Sequence, residues 1–337
     1  RSCHMKIITF EEHIIEKGLT GASRQAILNI APYYADSLGS DLPYFPDFEV
    51  YADLGEKRLE DMDRNGIDMQ VLSCPAESGL LPPETAIPLI KHVNDKLAAA
   101  KDAYPDRFRA FAALPWTDPQ SAAEELTRCV CDLGMSGALL AGRPDPGALF
   151  LDDDRYLPIL AAAERLNVPI YIHPGTPHPA VQETYYARLE PEITARISLF
   201  GWGWHNEAGI QVLRMILSGC FERHPGLQII SGHWGEFVPY YLARLDQALP
   251  QKCTHLSRSI TQTYADQVYV TPSGIFTDAH IHFIRETIGI ERILYSVDFP
   301  LVPNEGARSF LEEANISEAE KEQIAWGNAQ KLLHLPI

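Results

Sequence analysis

The stretch KIITFEEHI, Lys6 to Ile14, decides how the rest of the chain is read. Its first half is the short β-branched and aromatic run that fills a buried parallel strand. Its second half, Glu11, Glu12 and His13, puts two carboxylates and an imidazole where an open nucleotide-binding sheet would place a glycine-rich phosphate turn. Side chains along a strand alternate, so Glu11 and His13 are expected on one side and Glu12 on the other. A Glu-x-His pair so placed can supply two ligands to one ion, with Glu12 left to a structural role.

Seven more apolar runs follow, nearly all separated by helical patterns: 68–73, 108–114, 136–142, 168–175, 227–235, 267–274 and 291–300. Eight parallel strands joined by crossover helices close into an α/β fold, the (β/α)8 TIM barrel. Two stretches break the rhythm, about 15–55 and about 176–210, both rich in aromatic residues. They are expected as long loop insertions at the C-terminal face, serving as lids, substrate walls or subunit contacts. Residues 1–4, RSCH, read as an expression-tag remnant, leaving 5–337 as a single barrel domain.

Composition narrows the partners. The 337 residues are 46% hydrophobic with a formal net charge of −17, and no block of Lys or Arg offsets it. Such a chain is a poor ligand for nucleic acid or an anionic membrane surface, and no apolar run is long enough to span a bilayer. The cysteines lack C-x-x-C spacing. They are expected as free thiols, mostly buried, in a reducing cytoplasm.

Barrel enzymes carry their chemistry at the carboxyl ends of the strands. Those ends hold Glu11 and His13 (first run), His173 (fifth), His233 followed by Glu236 (sixth), and Asp298 (eighth). Two carboxylates and two imidazoles make a mixed oxygen and nitrogen site suited to one divalent ion, Zn2+ or Mn2+. His280 and His282 look more like a metal pair than Glu11 and His13 do. They fall inside a helical pattern, where positions two apart diverge by about 200°, and are read as structural. His205, in the second insertion, is a candidate for lining the pocket.

The motifs FEEH, YIHPG, SGHWGE and YSVDFP, together with RLEDMDRNGIDMQVLS and HVNDKLA, resemble the amidohydrolase superfamily. Within it they are most similar to the decarboxylase branch that includes aminocarboxymuconate-semialdehyde and γ-resorcylate (2,6-dihydroxybenzoate) decarboxylases. The resemblance runs from about residue 6 to the C-terminus. Glu-x-His on the first strand is similar to the hydroxybenzoate decarboxylases, where the hydrolytic members usually carry His-x-His.

This resemblance implies Glu11, His13, His173 and Asp298 as metal ligands, His233 and Glu236 as a proton-relay pair, and Asp298 as proton donor. It implies Arg244 as a substrate contact, and Phe299, which replaces a tryptophan of that group, as a pocket residue. The implied reaction is release of CO2 from an aromatic, hydroxybenzoate-like acid, and the implied assembly is a homodimer or homotetramer. The same scaffold also carries hydrolases of lactones, amides and esters, and hydratases of unsaturated acids. The chain differs from the hydroxybenzoate group at Phe299, at Gly175 in HPGTP and in GWGWHNEAG. All three differences fall on the substrate pocket.

Overall fold

A computed structural model describes residues 5–37, 48–147 and 149–336. The expected tag remnant and the middle of the first insertion, 38–47, lie outside the described residues. Seven strands are present among them: β1 (Ile8–His13), β2 (Met69–Ser73), β3 (Phe108–Ala110), β4 (Ala138–Ala141), β5 (Ile170–His173), β6 (Ile229–Ser231) and β7 (Val268–Val270). They form two parallel sheets, β1-β2-β3 and β4-β5-β6-β7. A bridge between Ala112 and Ala138 joins the sheets on one side.

On the other side the eighth apolar run closes the circle. Ile293 bridges to Val270 and Ser296 to Phe10, both in parallel, with Leu294 N donating to Val270 O and Phe10 N to Tyr295 O. The expected eight-stranded barrel is therefore closed, but its eighth member is a seam of isolated bridges. The reason is chemical: the amides of Val297 and Phe299 donate to the Glu12 carboxylate (3.0 and 3.2 Å) and not to a neighbouring strand.

Inward-facing side chains fill the barrel, among them Ile8, Phe10, Val71, Leu139, Ile230 and Leu294. Ala329, Leu332 and Leu333 of the closing helix Asn328–Leu333 belong to the same cluster and cap the barrel at the end where β1 begins. The side chain of Asn328 ties that helix to the seam through the Ile290 and Ile293 carbonyls (2.9 and 2.7 Å). A second apolar layer lies between strands and outer helices. There α4 (Glu56–Asn65) contributes Met62, α5 (Pro83–Ala103) contributes Ile90 and Leu97, and α6 (Pro119–Cys131) contributes Leu126.

The insertions are not bare loops. The first carries α1 (Lys17–Ile30), α2 (Pro32–Ser37) and α3 (Phe48–Ala52). After α7 (Leu157–Leu166), the second carries α8 (Pro179–Val181) and α9 (Pro191–Ser198) and runs into α10 (Gly203–Leu217). Here α2 packs on α9, and Gln182 Nε2 donates to the Ile30 carbonyl (3.0 Å), so the two insertions brace each other. Cys129 and Cys131 lie on one helix and the described cysteines are free; His280 and His282 lie, as expected, on the helix Asp278–Ile288. Cys131 and Cys253 are exposed, the other three buried. Among the described residues no helix is long and apolar enough to cross a membrane.

The HVNDKLA motif has a structural use. Buried Asn94 on α5 donates to the Ala113 carbonyl (2.9 Å) and to Glu125 Oε1 on α6 (2.8 Å), and accepts from Ala113 N (2.9 Å). One amide thus satisfies the frayed end of the third strand and a buried carboxylate. Asn94→Ala leaves the Ala113 N–H and carbonyl without partners in a site closed to water and takes one donor from Glu125. It should lower unfolding stability by about 2–4 kcal/mol in denaturant titration, with metal content unchanged.

Candidate active site

All four expected ligands converge at the carboxyl ends of the strands. Glu11, His13, His173 and Asp298 are buried, with one ligand atom from each lying within 4.8 Å of the others. Simple alternation is not what brings Glu11 there. The β1–β2 register shifts between Thr9 and Glu12, and Glu11 takes a left-handed φ of 59°. A bulge in the strand aims Glu11 inward beside His13. Asp298 is turned into the site the same way, with φ 68°.

At Glu11, His13 and His173 the far atom is tied to the protein and the near atom is left facing the centre. Tyr171 and Ser273 both donate to Glu11 Oε2, while Oε1 has no hydrogen-bond partner. His13 Nδ1 bonds Ser73 Oγ (3.1 Å), leaving Nε2 unpartnered 3.1 Å from Asp298 Oδ1, which is unpartnered too. His173 Nδ1 donates to the Pro174 carbonyl (2.7 Å), and its Nε2 faces Glu11 Oε1 at 3.5 Å. Buried polar atoms without partners are rare, because each costs desolvation free energy. Three of them, Glu11 Oε1, His13 Nε2 and Asp298 Oδ1, face one another here with His173 Nε2 beside them, a set that fits a divalent cation, and the outer partners are of the kind that orient metal ligands.

The charges agree. Burial, aided by His13, pushes His173 down to about 3, so it stays neutral with a free lone pair. Burial also raises Glu11, opposed by His233 and reinforced by the nearby Asp298 carboxylate. Two buried carboxylates in mutual repulsion are what a divalent cation relieves. For Asp298 the raising effect of burial is overcome by the neighbouring His13 and His233 imidazoles, which hold it below the ordinary carboxylate range.

Beside this cluster lies a second one: His205, His233 and Glu236. His233 and Glu236 sit on a turn in which His233, Trp234, Gly235, Glu236 and Phe237 all have positive φ. Such backbone costs roughly 1–2 kcal/mol at each non-glycine residue. The turn is pinned by His233 N to Ser273 Oγ (2.9 Å), Trp234 N to Thr271 O (3.0 Å) and Trp234 Nε1 to Ile275 O (2.8 Å). His233 Nδ1 donates to Glu236 Oε1 (2.6 Å), and its Nε2 reaches to 3.8 Å from Asp298 Oδ2 and 3.9 Å from Glu11 Oε1. Burial alone would discharge His233, but Glu236 and Glu11 outweigh it and hold its pKa well above the ordinary value.

Arg244 is not brought to either cluster. It is exposed on the helix Val238–Ala248, and Tyr240 and Tyr241 on that helix are exposed as well. Phe299 borders the site: its amide is held by Glu12, its carbonyl accepts from His13 N (2.7 Å), and the Arg58 guanidinium lies 5.0 Å from its ring centroid. The glycine of HPGTP has a steric cause. A Cβ on Gly175 would run into the backbone of Gly142, where the ends of β4 and β5 meet.

Sequence reasoning missed Tyr171, Ser73, Ser273 and Arg58 as partners of the ligands. The first three occupy strand ends or inward strand positions and could have been found there. Buried Arg58 donates to the His13 carbonyl (2.8 Å) from a helix, and nothing local signals that.

Comparison with known proteins supplies the context. A family model described as Amidohydrolase matches residues 26–335. Decarboxylase orsB of Emericella nidulans is 33% identical over 97% of this chain and 96% of its own length. A γ-resorcylate decarboxylase of Rhodococcus jostii is 36% identical over 84% of this chain and 88% of its own. A dihydroxybenzoic acid decarboxylase from a Polaromonas species, solved with bound manganese and the inhibitor 2-nitroresorcinol, superposes with a TM-score of 0.84. It is 31% identical, with 98% of this chain and 97% of that one covered.

Two changes separate ligand from support. Glu11→Gln should abolish stoichiometric Mn2+ in metal analysis, whereas Tyr171→Phe should keep the site but weaken Mn2+ binding about 10- to 100-fold in titration.

Proposed function

The chain belongs to the amidohydrolase family, and from that premise we propose that it is a metal-dependent, non-oxidative decarboxylase of a hydroxybenzoate-like aromatic acid. The observation that carries the reading is the pairing of the four-ligand cluster with the His233–Glu236 pair beside it. His233 Nε2 stands 3.8 and 3.9 Å from two of the ligand carboxylates. A hydrolase on this scaffold needs a base to activate water, whereas a group kept protonated beside the substrate site suits an acid.

Glu11, His13, His173 and Asp298 would hold the ion. The two carboxylates and two imidazoles, and the manganese in the Polaromonas relative, favour Mn2+ over Zn2+. Bound there, a divalent ion supplies a Lewis acid that orients a carboxylate with its ortho hydroxyl and holds their charge. His233, held through Nδ1 by Glu236, keeps its Nε2 proton turned toward Asp298. Asp298 takes that proton and passes it to the ring carbon bearing the carboxylate, while the hydroxyl pushes electrons into the ring. The bond to the carboxylate then breaks, its electron pair restores aromaticity, and CO2 leaves. Phe299 and the packed Trp204, whose ring centroid lies 6.2 Å from that of His173, supply apolar walls that weaken solvation of the reacting groups.

The net charge of −17 agrees with a small-molecule partner and no nucleic acid. We also propose a homo-oligomer, dimer or tetramer. The second insertion and the start of α10 expose Tyr185 (72%), Leu189 (50%), Ile193 (51%) and Trp202 (47%), apolar surface of the kind that subunit contacts cover. The free cysteines agree with a reducing, cytoplasmic setting.

Incubating the Mn2+-loaded protein with a panel of hydroxybenzoates should release CO2, a chelator should stop it and added Mn2+ should restore it. Turnover of lactones or amides with no CO2 from any acid would overturn the reading. His233→Asn should lower kcat by about 10²–10⁴ with metal content retained. Light scattering on the purified protein should give a mass of two or four chains, and Trp202→Glu with Ile193→Glu should shift it toward the monomer.

A further inference from the structure

The helix α10 meets the turn 233–237 at two points one helical turn apart. Gly209 lies so close to the Glu236 carbonyl that a Cβ there would run into that oxygen. His205, four residues earlier and so on the same face of the helix, donates from Nδ1 to Glu236 Oε2 (2.7 Å). The two carboxylate oxygens of Glu236 are thus divided between two imidazoles, His205 on Oε2 and His233 on Oε1. The two rings lie 4.4 Å apart, centroid to centroid, at 65°.

The other nitrogen of His205 is also engaged within the protein. Its Nε2 lies 2.9 Å from the Phe200 carbonyl and 3.2 Å from Trp204 Nε1, so that it donates to the first when protonated or accepts from the second when not. With both nitrogens taken, His205 has none left for a substrate. We propose that His205 is a positioning residue for proton transfer: it fixes the plane of the Glu236 carboxylate so that Oε1 holds His233 with Nε2 turned toward Asp298. The proposal rests on the decarboxylase reading of the same site.

The physical reason lies in what a single partner would leave undone. Glu236 is fully buried, and a buried carboxylate with one donor pays desolvation on its second oxygen and is free to turn about its last torsion. Two donors on opposite oxygens remove both problems. They also keep the carboxylate ionised, against the raising effect of burial. The contact comes from α10 and not from the strained turn itself, so the relay is locked only when helix and turn are docked.

The test compares wild type with His205→Ala, the ring-preserving His205→Phe, and His205→Asn, whose amide can donate close to where Nδ1 stands. All are Mn2+-loaded, with metal content and melting temperature measured alongside, and assayed on whichever hydroxybenzoate the wild type decarboxylates. His205→Ala and His205→Phe should lower kcat about tenfold or more at unchanged KM and metal content. His205→Asn should recover most of it. A kcat within about twofold of wild type in either donor-free variant, a loss confined to KM, or no recovery in His205→Asn would overturn the proposal.

A readout independent of turnover is the low-field proton resonance of His233 Nδ1–H in the diamagnetic Zn2+-loaded protein. It should be present in wild type and His205→Asn and shifted or lost in His205→Phe; an unchanged resonance there also overturns the positioning role. A wild type that releases no CO2 while these resonances behave as expected counts against the decarboxylase reading and leaves the positioning role standing.

Discussion

A single buried carboxylate, Glu12, closes this barrel. Its oxygens accept from the amides of Val297 and Phe299 on either side of Asp298. They take the place of the ladder hydrogen bonds that the eighth run does not make there. The same bonds fix Asp298 in its left-handed conformation, pointing at Glu11 and His13. Buried hydrogen bonds contribute roughly 0.5–1.5 kcal/mol each, so the two together are of the order of the backbone cost of one such residue. Burial pushes Glu12 up to about 8 despite these two donors. The carboxylate therefore depends on those donors as much as they depend on it.

Strain is concentrated where the chemistry is. Of the eleven non-glycine residues with positive φ among those described, seven are Glu11, His233, Trp234, Glu236, Phe237, Ser273 and Asp298. Glu11, His233, Ser273 and Asp298 thereby turn a side chain to face the centre and Glu236 to face His233, while Trp234 anchors the turn through Ile275 O, which a regular strand end could not do for all of them together. The surrounding packing holds these conformations: Tyr171 rises from the barrel interior to Glu11, Arg58 reaches from α4 to the His13 carbonyl, and Gly209 lets α10 approach the 233–237 turn. Rigid strands supply position, and the strained ends supply direction.

The two clusters form one electrostatic unit. The ligand side holds excess negative charge, Glu11 beside Asp298, next to a neutral His173. The other side holds the His233 imidazole, its pKa raised chiefly by Glu236 against the effect of burial, over a carboxylate shared with His205. Such a juxtaposition suits a reaction in which an ion fixes an anionic substrate and an acid delivers a proton to it. The same unit explains why His173 and His233, both strand-end histidines, differ in charge: His173 has only a carbonyl at its far nitrogen, whereas His233 has Glu236.

The sequence by itself determined the repeating strand and helix pattern, the eight-membered barrel, and the residues at its strand ends. Apolar runs are local, and the rule that barrel chemistry sits at carboxyl ends needs no coordinates. For that reason Glu11, His13, His173, Asp298, His233 and Glu236 were all legible. Tertiary structure decided how they are aimed. The bulge that turns Glu11 inward is set by pairing with β2, the eighth strand is reduced to a seam by Glu12, and His205 reaches Glu236 because α10 docks on the turn. It also left Arg244 exposed on its helix and made Gly175 a matter of backbone clearance at Gly142. Those outcomes depend on contacts between residues far apart in the chain, and periodicity along one strand or helix carries no information about them.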